Sequence, residues 1–240
     1  MRKTGIERSF VASLQKGLEV LTSFDRAHPK LTVSEAARLT GTSPASARRS
    51  LLTLHALGYL EYDGKLFWLL PKTLLVANAY LSSRPMPNIL QPLLDRLAER
   101  TRESASVAKL MGEHSIIVAR STARRSLTVG LRIGSRLPAY CSATGRVLLA
   151  GLTPRTATSV DAVLAQVESC RSLGYAVCDG ELELGVRSMA IPVFNRDGAT
   201  IAALSIAVRA DRMTIEELKT AFLPTLRRAQ SQLRERLFED

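Results

Sequence analysis

Two adjacent arginines, Arg48 and Arg49, stand in the first half of TSPASARRSLLTLHALGYL, residues 42–60, a stretch otherwise made mostly of small residues and leucines. A guanidinium group presents its hydrogen-bond donors in a fixed plane, so it can pair with a guanine edge or grip a phosphate. Small neighbours such as Ala45 and Ser46 let a helix backbone approach base edges closely. This composition indicates contact with a nucleic-acid duplex, and the simpler alternative is a solvated basic face.

Start and stop signals predict that this stretch forms one helix. Ser43 can act as N-cap, Pro44 suits the first helical position, where no N–H is needed, and Gly58 can close the far end in the left-handed conformation. At about 100° per residue, the two sides of this helix differ in character. The apolar side is formed by Ala47, Ser50, Leu51 and Leu54. The opposite side and its flanks are formed by Ala45, Ser46, Arg48 and Arg49.

A second helix and a hairpin flank this segment. Before it, LTVSEAARLTG holds Thr32 and Glu35 in the T-x-x-E spacing of a capping box, and Gly41 ends the helix. After it, YLEYDGKLFWL places Asp63 and Gly64 between two apolar runs, which predicts a β-hairpin with a two-residue type I′ turn. Helix, short turn, helix and hairpin in this order predict a winged helix-turn-helix. The residues predicted to contact DNA are Thr32, Ser43, Ala45, Ser46, Arg48, Arg49 and Lys65.

Another helix is predicted by SFVASLQKGLEVLTSFD, residues 9–25. Its apolar residues recur at spacings of three and four, which aligns them in one stripe. The stripe consists of Val11, Leu14, Leu18, Leu21 and Phe24. We expect this stripe to face the core of the first domain.

The charge balance also favours a partner with a phosphate backbone. The 240-residue chain carries 33 Lys and Arg against 22 Asp and Glu, a net charge of +11. Residues 1–83 hold 11 basic and 6 acidic side chains and residues 84–240 hold 22 and 16, so the basic excess is denser in the first third.

The remaining composition predicts a folded soluble protein with no membrane partner. Hydrophobic residues make up 46% of the chain, and no apolar run approaches the roughly 18 residues needed to cross a bilayer. The first ten residues lack an apolar leader segment, so we expect a cytoplasmic location. Cys141, Cys170 and Cys178 show no paired metal spacing, and we interpret them as reduced thiols.

A break in the chain predicts two main domains. PKTLLVANAYLSS predicts a short helix, and two prolines in RPMP, residues 84–87, block its propagation. We therefore expect a winged helix-turn-helix domain over residues 1–72, a linker helix and hinge over 73–87, and a second domain over 88–240.

The pattern of residues 88–240 predicts an α+β fold, with helices packed on one antiparallel sheet. A first helix precedes three strands, which reach Tyr140, and a short helix follows that ends at Gly151. A further helix precedes three more strands, with a hairpin at Asn195 to Gly198. The chain closes on a basic amphipathic helix, which we expect to be interrupted near Pro224.

An enzymatic function has little support in these residues. Cys141, His114 and Asp179 could be cast as a nucleophile set, but no local motif joins them. His28, His55 and His114 are isolated, and no phosphate-binding or metalloprotease motif occurs. We expect no catalytic residue, no metal and no cofactor.

The whole chain resembles the IclR family of bacterial transcriptional regulators. The stretches that carry the resemblance are TVSEAARLTGTSPASARRSLLTLHALGYL, GSRLPAYCSATGRVLLAGL and GYAVCDGELELGVRSMAIPVFNRDG. The resemblance implies a second domain of GAF/PAS-like fold that binds an effector and forms oligomers. It further implies a homodimer or a dimer of dimers that binds double-stranded operator DNA under the control of a small carboxylate effector.

Within that family, three further stretches resemble the regulators of protocatechuate and 4-hydroxybenzoate catabolism. They are DGKLFWLLPKTLLVANAYLSS, RRSLTVGLRIGSRLPAYC and FLPTLRRAQSQL. The chain departs from the subgroup in a nearly absent segment after LLAGL and in SATGR, where the subgroup more often has TSMGR. An alternative is a DNA-binding regulator whose second domain serves only dimerisation or partner binding and takes no small ligand.

The resemblance also implies an effector pocket. Its residues fall on Val129, Leu137, Ala143, Thr144, Cys178, Ser188, Ser205 and Ala207. Amides that open the helix at Ala143 and Thr144 suit a carboxylate. Arg136, and less so Arg132, are candidates for a direct ion pair with an acid.

Overall fold

The computed structural model describes residues 9–83, 85–123, 130–152 and 164–236 of the chain. The chain divides into two compact units, residues 1–83 and 84–240. The finer division at residues 72 and 87 stays a prediction.

The first unit packs three helices and a small hairpin around one core. The helices are α1 (Ala12–Leu21), α2 (Val33–Thr40) and α3 (Pro44–Ala56). Leu51 of α3 and Leu60 and Phe67 of the hairpin are fully buried in this core. The predicted helix-turn-helix is confirmed, because only Gly41 to Ser43 separate α2 from α3.

The predicted helix ends are also confirmed. Thr32 accepts a hydrogen bond from the Glu35 N–H, and the Glu35 carboxylate accepts one from the Thr32 N–H, which completes the capping box. Ser43 caps α3 through the Ser46 N–H. Gly58 is left-handed at φ +76°, and its N–H and that of Tyr59 close the end of α3.

The hairpin differs in its turn from the prediction. It consists of β1 (Leu60–Tyr62) and β2 (Phe67–Leu69), with Tyr62 opposite Phe67, so four residues connect the strands. The two-residue type I′ turn is therefore wrong, since only Gly64 has a positive φ in this loop. The Asp63 carboxylate accepts hydrogen bonds from the Lys65 and Leu66 N–H groups, and this Asx turn replaces the tighter one.

The predicted orientation of α1 is wrong in part. Its single buried residue is Val20, and Leu14 in the predicted core-facing stripe is 60% exposed. The exposed apolar side chains at this end of the chain are Phe10, Val11, Leu14 and Leu18. Periodicity identified an apolar face correctly, but the residues that the structure describes leave this face exposed. The predicted helix that follows the hairpin is present as α4 (Thr73–Ser83).

The second unit contains six antiparallel strands in the order β5-β4-β3-β8-β7-β6. The strands are β3 (Ser104–Met111), β4 (His114–Ser121), β5 (Arg136–Pro138), β6 (Ala176–Asp179), β7 (Val186–Phe194) and β8 (Thr200–Arg209). The predicted α+β class with one antiparallel sheet is confirmed.

Helices cover both sides of this sheet. α5 (Pro85–Thr101) and α8 (Ile215–Arg236) pack on one side with leucines and a phenylalanine. α6 (Ala143–Ala150) packs on the other side, followed by α7 (Leu164–Leu173). Most of the strand residues beneath α6 are small: Ala108, Ala176, Cys178, Ala190 and Ala203 accompany the larger Ile117 and Leu137. We call this α6-facing side of the sheet the effector face.

The last helix corrects one prediction. α8 runs without interruption through Pro224, which is exposed. A proline removes one N–H and crowds the preceding turn, and both effects are tolerated on a solvent-facing side, where the helix can bend slightly and water can reach the freed carbonyl.

Candidate functional sites

The reader helix, α3, presents its arginines as predicted. Arg48, Arg49 and Ala45 are all exposed on the first unit. Within the described ranges no carboxylate forms an ion pair with either arginine. Both guanidinium groups are therefore available to an anionic partner.

Ser46 is a correction. The sequence predicts that Ser46 lies on the exposed flank of α3, but only 7% of this residue is exposed. Ser46 lines the groove between α1 and α3 together with Gly17 and Leu18. Its turn toward α1 removes the side chain from the DNA-facing surface.

The capping hydroxyls are committed to the protein. The Thr32 hydroxyl lies 2.8 Å from the Glu35 carboxylate, whose negative charge opposes a phosphate at this position. The Ser43 hydroxyl accepts from the Ser46 N–H at 3.3 Å. Capping explains both residues, and their contact with DNA stays a prediction.

The hairpin carries further cations. Lys65 is exposed at its tip, where the Asp63 carboxylate fixes the Lys65 backbone through a 3.0 Å hydrogen bond. The Lys30 ammonium group lies 4.3 Å from the centre of the Trp68 ring, a cation–π geometry. Sequence reasoning missed Lys30, because the pairing is visible only when the hairpin is folded.

Four of the predicted effector residues share the effector face. Strand register places Cys178 opposite Ser188 and Ser188 opposite Ala207. Ser205 lies two residues before Ala207 on β8, so it points to the same side. Ala190, opposite Ser205, packs in the cluster beneath α6. The structure thus brings these residues together, and their contact with an effector stays a prediction.

The first turn of α6 lies over this face. Ser142, a residue that sequence reasoning missed, caps α6 by accepting from the Gly145 N–H at 3.1 Å. The Thr144 hydroxyl lies 3.1 Å from the hydroxyl of Ser115 on β4. Ala143 and Thr144 are both buried. The predicted site therefore includes the start of α6, and polar side chains already occupy part of it.

Cys178 connects this turn to the sheet. Its thiol donates to the Cys141 carbonyl at 3.0 Å. Burial raises the pKa of the Cys178 thiol above its ordinary value. A protonated thiol is a hydrogen-bond donor and a poor nucleophile, so the interpretation as a reduced structural thiol agrees with its surroundings.

Arg136 is a second correction. Leu137 lies opposite Ser115 and is buried in the cluster beneath α6, whereas Arg136 lies opposite Ile116. Successive residues of a strand point to opposite sides, so Arg136 points away from the effector face, where it is exposed near His114. Arg132 is exposed as well. Val129 lies outside the described residues.

A different arginine lies on the effector face. Arg120 on β4 is opposite Ser106, and Ser106 is opposite Ser205. One terminal N–H of Arg120 donates to the Ser106 hydroxyl at 2.7 Å. Burial lowers the pKa of Arg120 below its ordinary value. Sequence reasoning missed this residue, because only the cross-strand register reveals its neighbours.

Arg146 anchors α6 to the rest of the second unit. Its side chain is 5% exposed and pairs with the Glu181 carboxylate. It also donates to the Tyr140 carbonyl at 3.0 Å and the Val177 carbonyl at 3.2 Å. These bonds tie the site-forming helix to β6 and to the loop that follows it.

The structure disperses the weak nucleophile set. Asp179 pairs with the Arg187 Nε at 2.6 Å, and the His114 ring lies 3.5 Å from the Arg136 guanidinium group. In the described part of the chain, no cluster of three or more His, Cys, Asp or Glu could hold a metal ion. No described helix is long and apolar enough to span a membrane.

Family models match both units. The IclR helix-turn-helix domain matches residues 13–64, and the bacterial transcriptional regulator IclR C-terminal domain matches residues 78–153 and 150–235. Together these matches cover most of the chain.

Individual relatives agree with the family models. The Pca regulon regulatory protein of Pseudomonas putida is 38% identical over 95% of this chain and 85% of its own length. The crystal structure of a transcriptional regulator from Rhodococcus sp. RHA1 is 40% identical, covers 94% of this chain and 98% of its own, and superposes with a TM-score of 0.73. A double mutant of the PobR inducer-binding domain from Acinetobacter, in complex with 3-hydroxybenzoic acid, is 31% identical over 62% of this chain and 97% of its own, with a TM-score of 0.55.

Proposed function

Because this chain belongs to the IclR family of bacterial transcriptional regulators, we propose that it binds operator DNA in the cytoplasm under the control of an aromatic carboxylate effector. It acts as a regulator and not as an enzyme. The observation that carries the proposal is that one chain holds both features: two exposed arginines on α3 that form no ion pair with a described carboxylate, and a face of small residues and hydroxyl groups beneath α6.

The DNA-binding half depends on the reader helix. Arg48 and Arg49 present guanidinium groups that can reach base edges or phosphates in the major groove, and Lys65 adds a cation at the hairpin. The net charge of +11 favours approach to a polyanion.

We propose that two chains associate, as dimer or dimer of dimers, so that two reader helices meet half-sites about one helical turn or a multiple apart. The exposed apolar side chains of α1 and the residues before it support this association, because an uncovered apolar patch is costly in water. Leu14→Glu with Leu18→Glu should shift the mass measured by light scattering toward the monomer. Arg100→Glu, at an exposed position of α5, should not.

The effector half is supported by relatives and by chemistry. Hydroxyl groups of Ser188 and Ser205 provide donors, and Leu137 and the alanines provide an apolar wall for a ring. The alternative, a second unit without a ligand, predicts no response to any acid.

Two experiments test the proposal. Thermal unfolding and calorimetry with protocatechuate, 4-hydroxybenzoate and 3-hydroxybenzoate should show stabilisation, about 2.7 kcal/mol at an acid concentration 100 times Kd. No response to any of the three would favour the alternative.

Operator binding tests the reader helix separately. Arg49→Ala should weaken specific binding by about 1–3 kcal/mol if Arg49 reads a base. If it grips phosphate, affinity should fall for every sequence and the salt slope should drop by about one. Arg100→Ala serves as the control, and unchanged binding of every DNA by Arg49→Ala would contradict the assignment.

A further inference from the structure

We propose that Arg120 on β4 binds the carboxylate of the effector, with the hydroxyls of Ser106 and Ser205 beside it. The inference rests on the proposed function, because it needs an acid effector on the effector face.

Strand register places these three residues in one row. Arg120 pairs with Ser106 across β4 and β3, and Ser106 pairs with Ser205 across β3 and β8. Neighbouring strands lie about 5 Å apart, so a carboxylate at the Arg120 side chain lies within reach of both serines. The row continues through Ala190 and Ala176, both packed beneath α6. Arg120 is therefore the one charged residue of this row.

The bonding of Arg120 leaves room for a ligand. Its guanidinium group makes one hydrogen bond to the described part of the chain, to the neutral Ser106 hydroxyl at 2.7 Å. The Ser205 hydroxyl donates to the Ser106 carbonyl at 3.3 Å, so these side chains already form a connected polar group. A guanidinium group can grip a carboxylate with two parallel hydrogen bonds, and most of its donors remain for that purpose.

Electrostatics distinguish Arg120 from the other half-buried or buried arginines. Arg146 pairs with Glu181, and Arg187 pairs with Asp179. Arg120 has no carboxylate within ion-pair distance among residues 9–83, 85–123, 130–152 and 164–236. Burial lowers the pKa of Arg120, although an arginine keeps its charge at neutral pH. A carboxylate ligand would supply the opposite charge that this site lacks.

Part of the first turn of α6 is already engaged within the protein. Its Gly145 N–H already donates to the Ser142 hydroxyl, and the Arg146 N–H donates to the Ser142 carbonyl. The Thr144 hydroxyl is engaged with Ser115. This turn offers a partial positive charge, whereas Arg120 offers a full one.

The test compares each acid with its neutral amide. Calorimetry at pH 7 with the full chain measures binding of 4-hydroxybenzoate and 4-hydroxybenzamide, and of protocatechuate and its amide. Wild type should prefer the acid by about 10- to 100-fold, since charge-assisted hydrogen bonds are the stronger ones. Arg120→Gln should lose most of this preference, and Arg120→Lys should keep part of it. Arg100→Gln, the control at an exposed position of α5, should keep all of it.

Each outcome has one meaning. Wild type that binds no acid overturns the proposed function and this inference with it. Wild type that binds an acid, with a preference for acid over amide that survives in Arg120→Gln, overturns the inference alone. If Arg120→Gln fails to fold by circular dichroism, Arg120→Lys decides, and an undiminished preference in that variant overturns the inference.

Discussion

Gly145 in the first turn of α6 is the position where one added methyl group should have the largest effect. An ideal Cβ there would lie 2.6 Å from the Ala139 carbonyl carbon and closer still to the Ala139 Cα and carbonyl oxygen. Carbon atoms attract at about 3.5–4.0 Å, so Ala139 must move by roughly 0.9 Å or more. The Ala139 backbone cannot yield freely, because its N–H donates to the Glu113 carbonyl at 2.9 Å.

We therefore expect Gly145→Ala to lower the free energy of unfolding of the second unit by about 1–3 kcal/mol, as overpacking does. The sign is informative, since glycine to alanine within a helix otherwise stabilises by about 0.5–1 kcal/mol. Gly17→Ala on α1 is the matched control, because no atom lies within 4 Å of its added Cβ. We expect that control to stabilise the first unit.

Urea unfolding with two probes separates the units. Trp68, the only tryptophan, reports the first unit by fluorescence, and far-ultraviolet circular dichroism reports both units. Gly145→Ala should lower the second-unit transition and weaken effector binding while the Trp68 midpoint stays unchanged. A stability at or above that of wild type, with unchanged effector affinity, would refute the packing argument.

Three further predictions follow from the described contacts. Burial raises the pKa of Glu103 above 4.5 despite its ion pair with Arg212. The native state therefore binds more protons at Glu103 than the unfolded state, and the contribution of this residue to stability falls as the pH rises from about 4.5. Glu103→Gln should raise the urea midpoint above that of wild type at pH 7 but not at pH 4. Burial raises the pKa of Cys170 to about 11, so a disulfide reagent at pH 8 should modify this thiol only after unfolding, and fast native labelling would contradict its burial. Asp63→Ala should weaken operator binding by releasing the Lys65 backbone, whereas Asp63→Asn, which keeps the acceptor oxygen, should not; equal binding by both variants would separate the turn from DNA recognition.

Local signals were predicted well because they depend on neighbours in the chain. The capping box at Thr32 and Glu35 and the cap at Ser43 are formed as the spacing indicates. Each needs only residues three apart, so no knowledge of packing is required. The type of the hairpin turn was predicted wrongly although it also depends on nearby residues. The Asp63 side chain accepts hydrogen bonds from Lys65 and Leu66 and stabilises a four-residue loop.

Long-range features were the ones missed. Helical periodicity located the stripe on α1 but could not show that Leu14 and Leu18 stay exposed among the described residues. Strand alternation separated Arg136 from Leu137, but only the cross-strand register placed Arg120, the arginine that we propose for the effector, beside Ser106. The low helix propensity of proline predicted a break near Pro224. In the structure α8 continues through Pro224, because this residue is exposed to solvent.

The small side chains beneath α6 determine how substitutions could change which acids fit on the effector face. Ala190 and Ala203 are fully buried there, so replacing either with valine adds volume directly under the helix. Such a step narrows the space near Ser205 without altering any cap, turn or strand pairing. Alanine to valine adds two carbon atoms, so single substitutions of this kind should change which acids fit the proposed effector site while the surrounding framework stays constant.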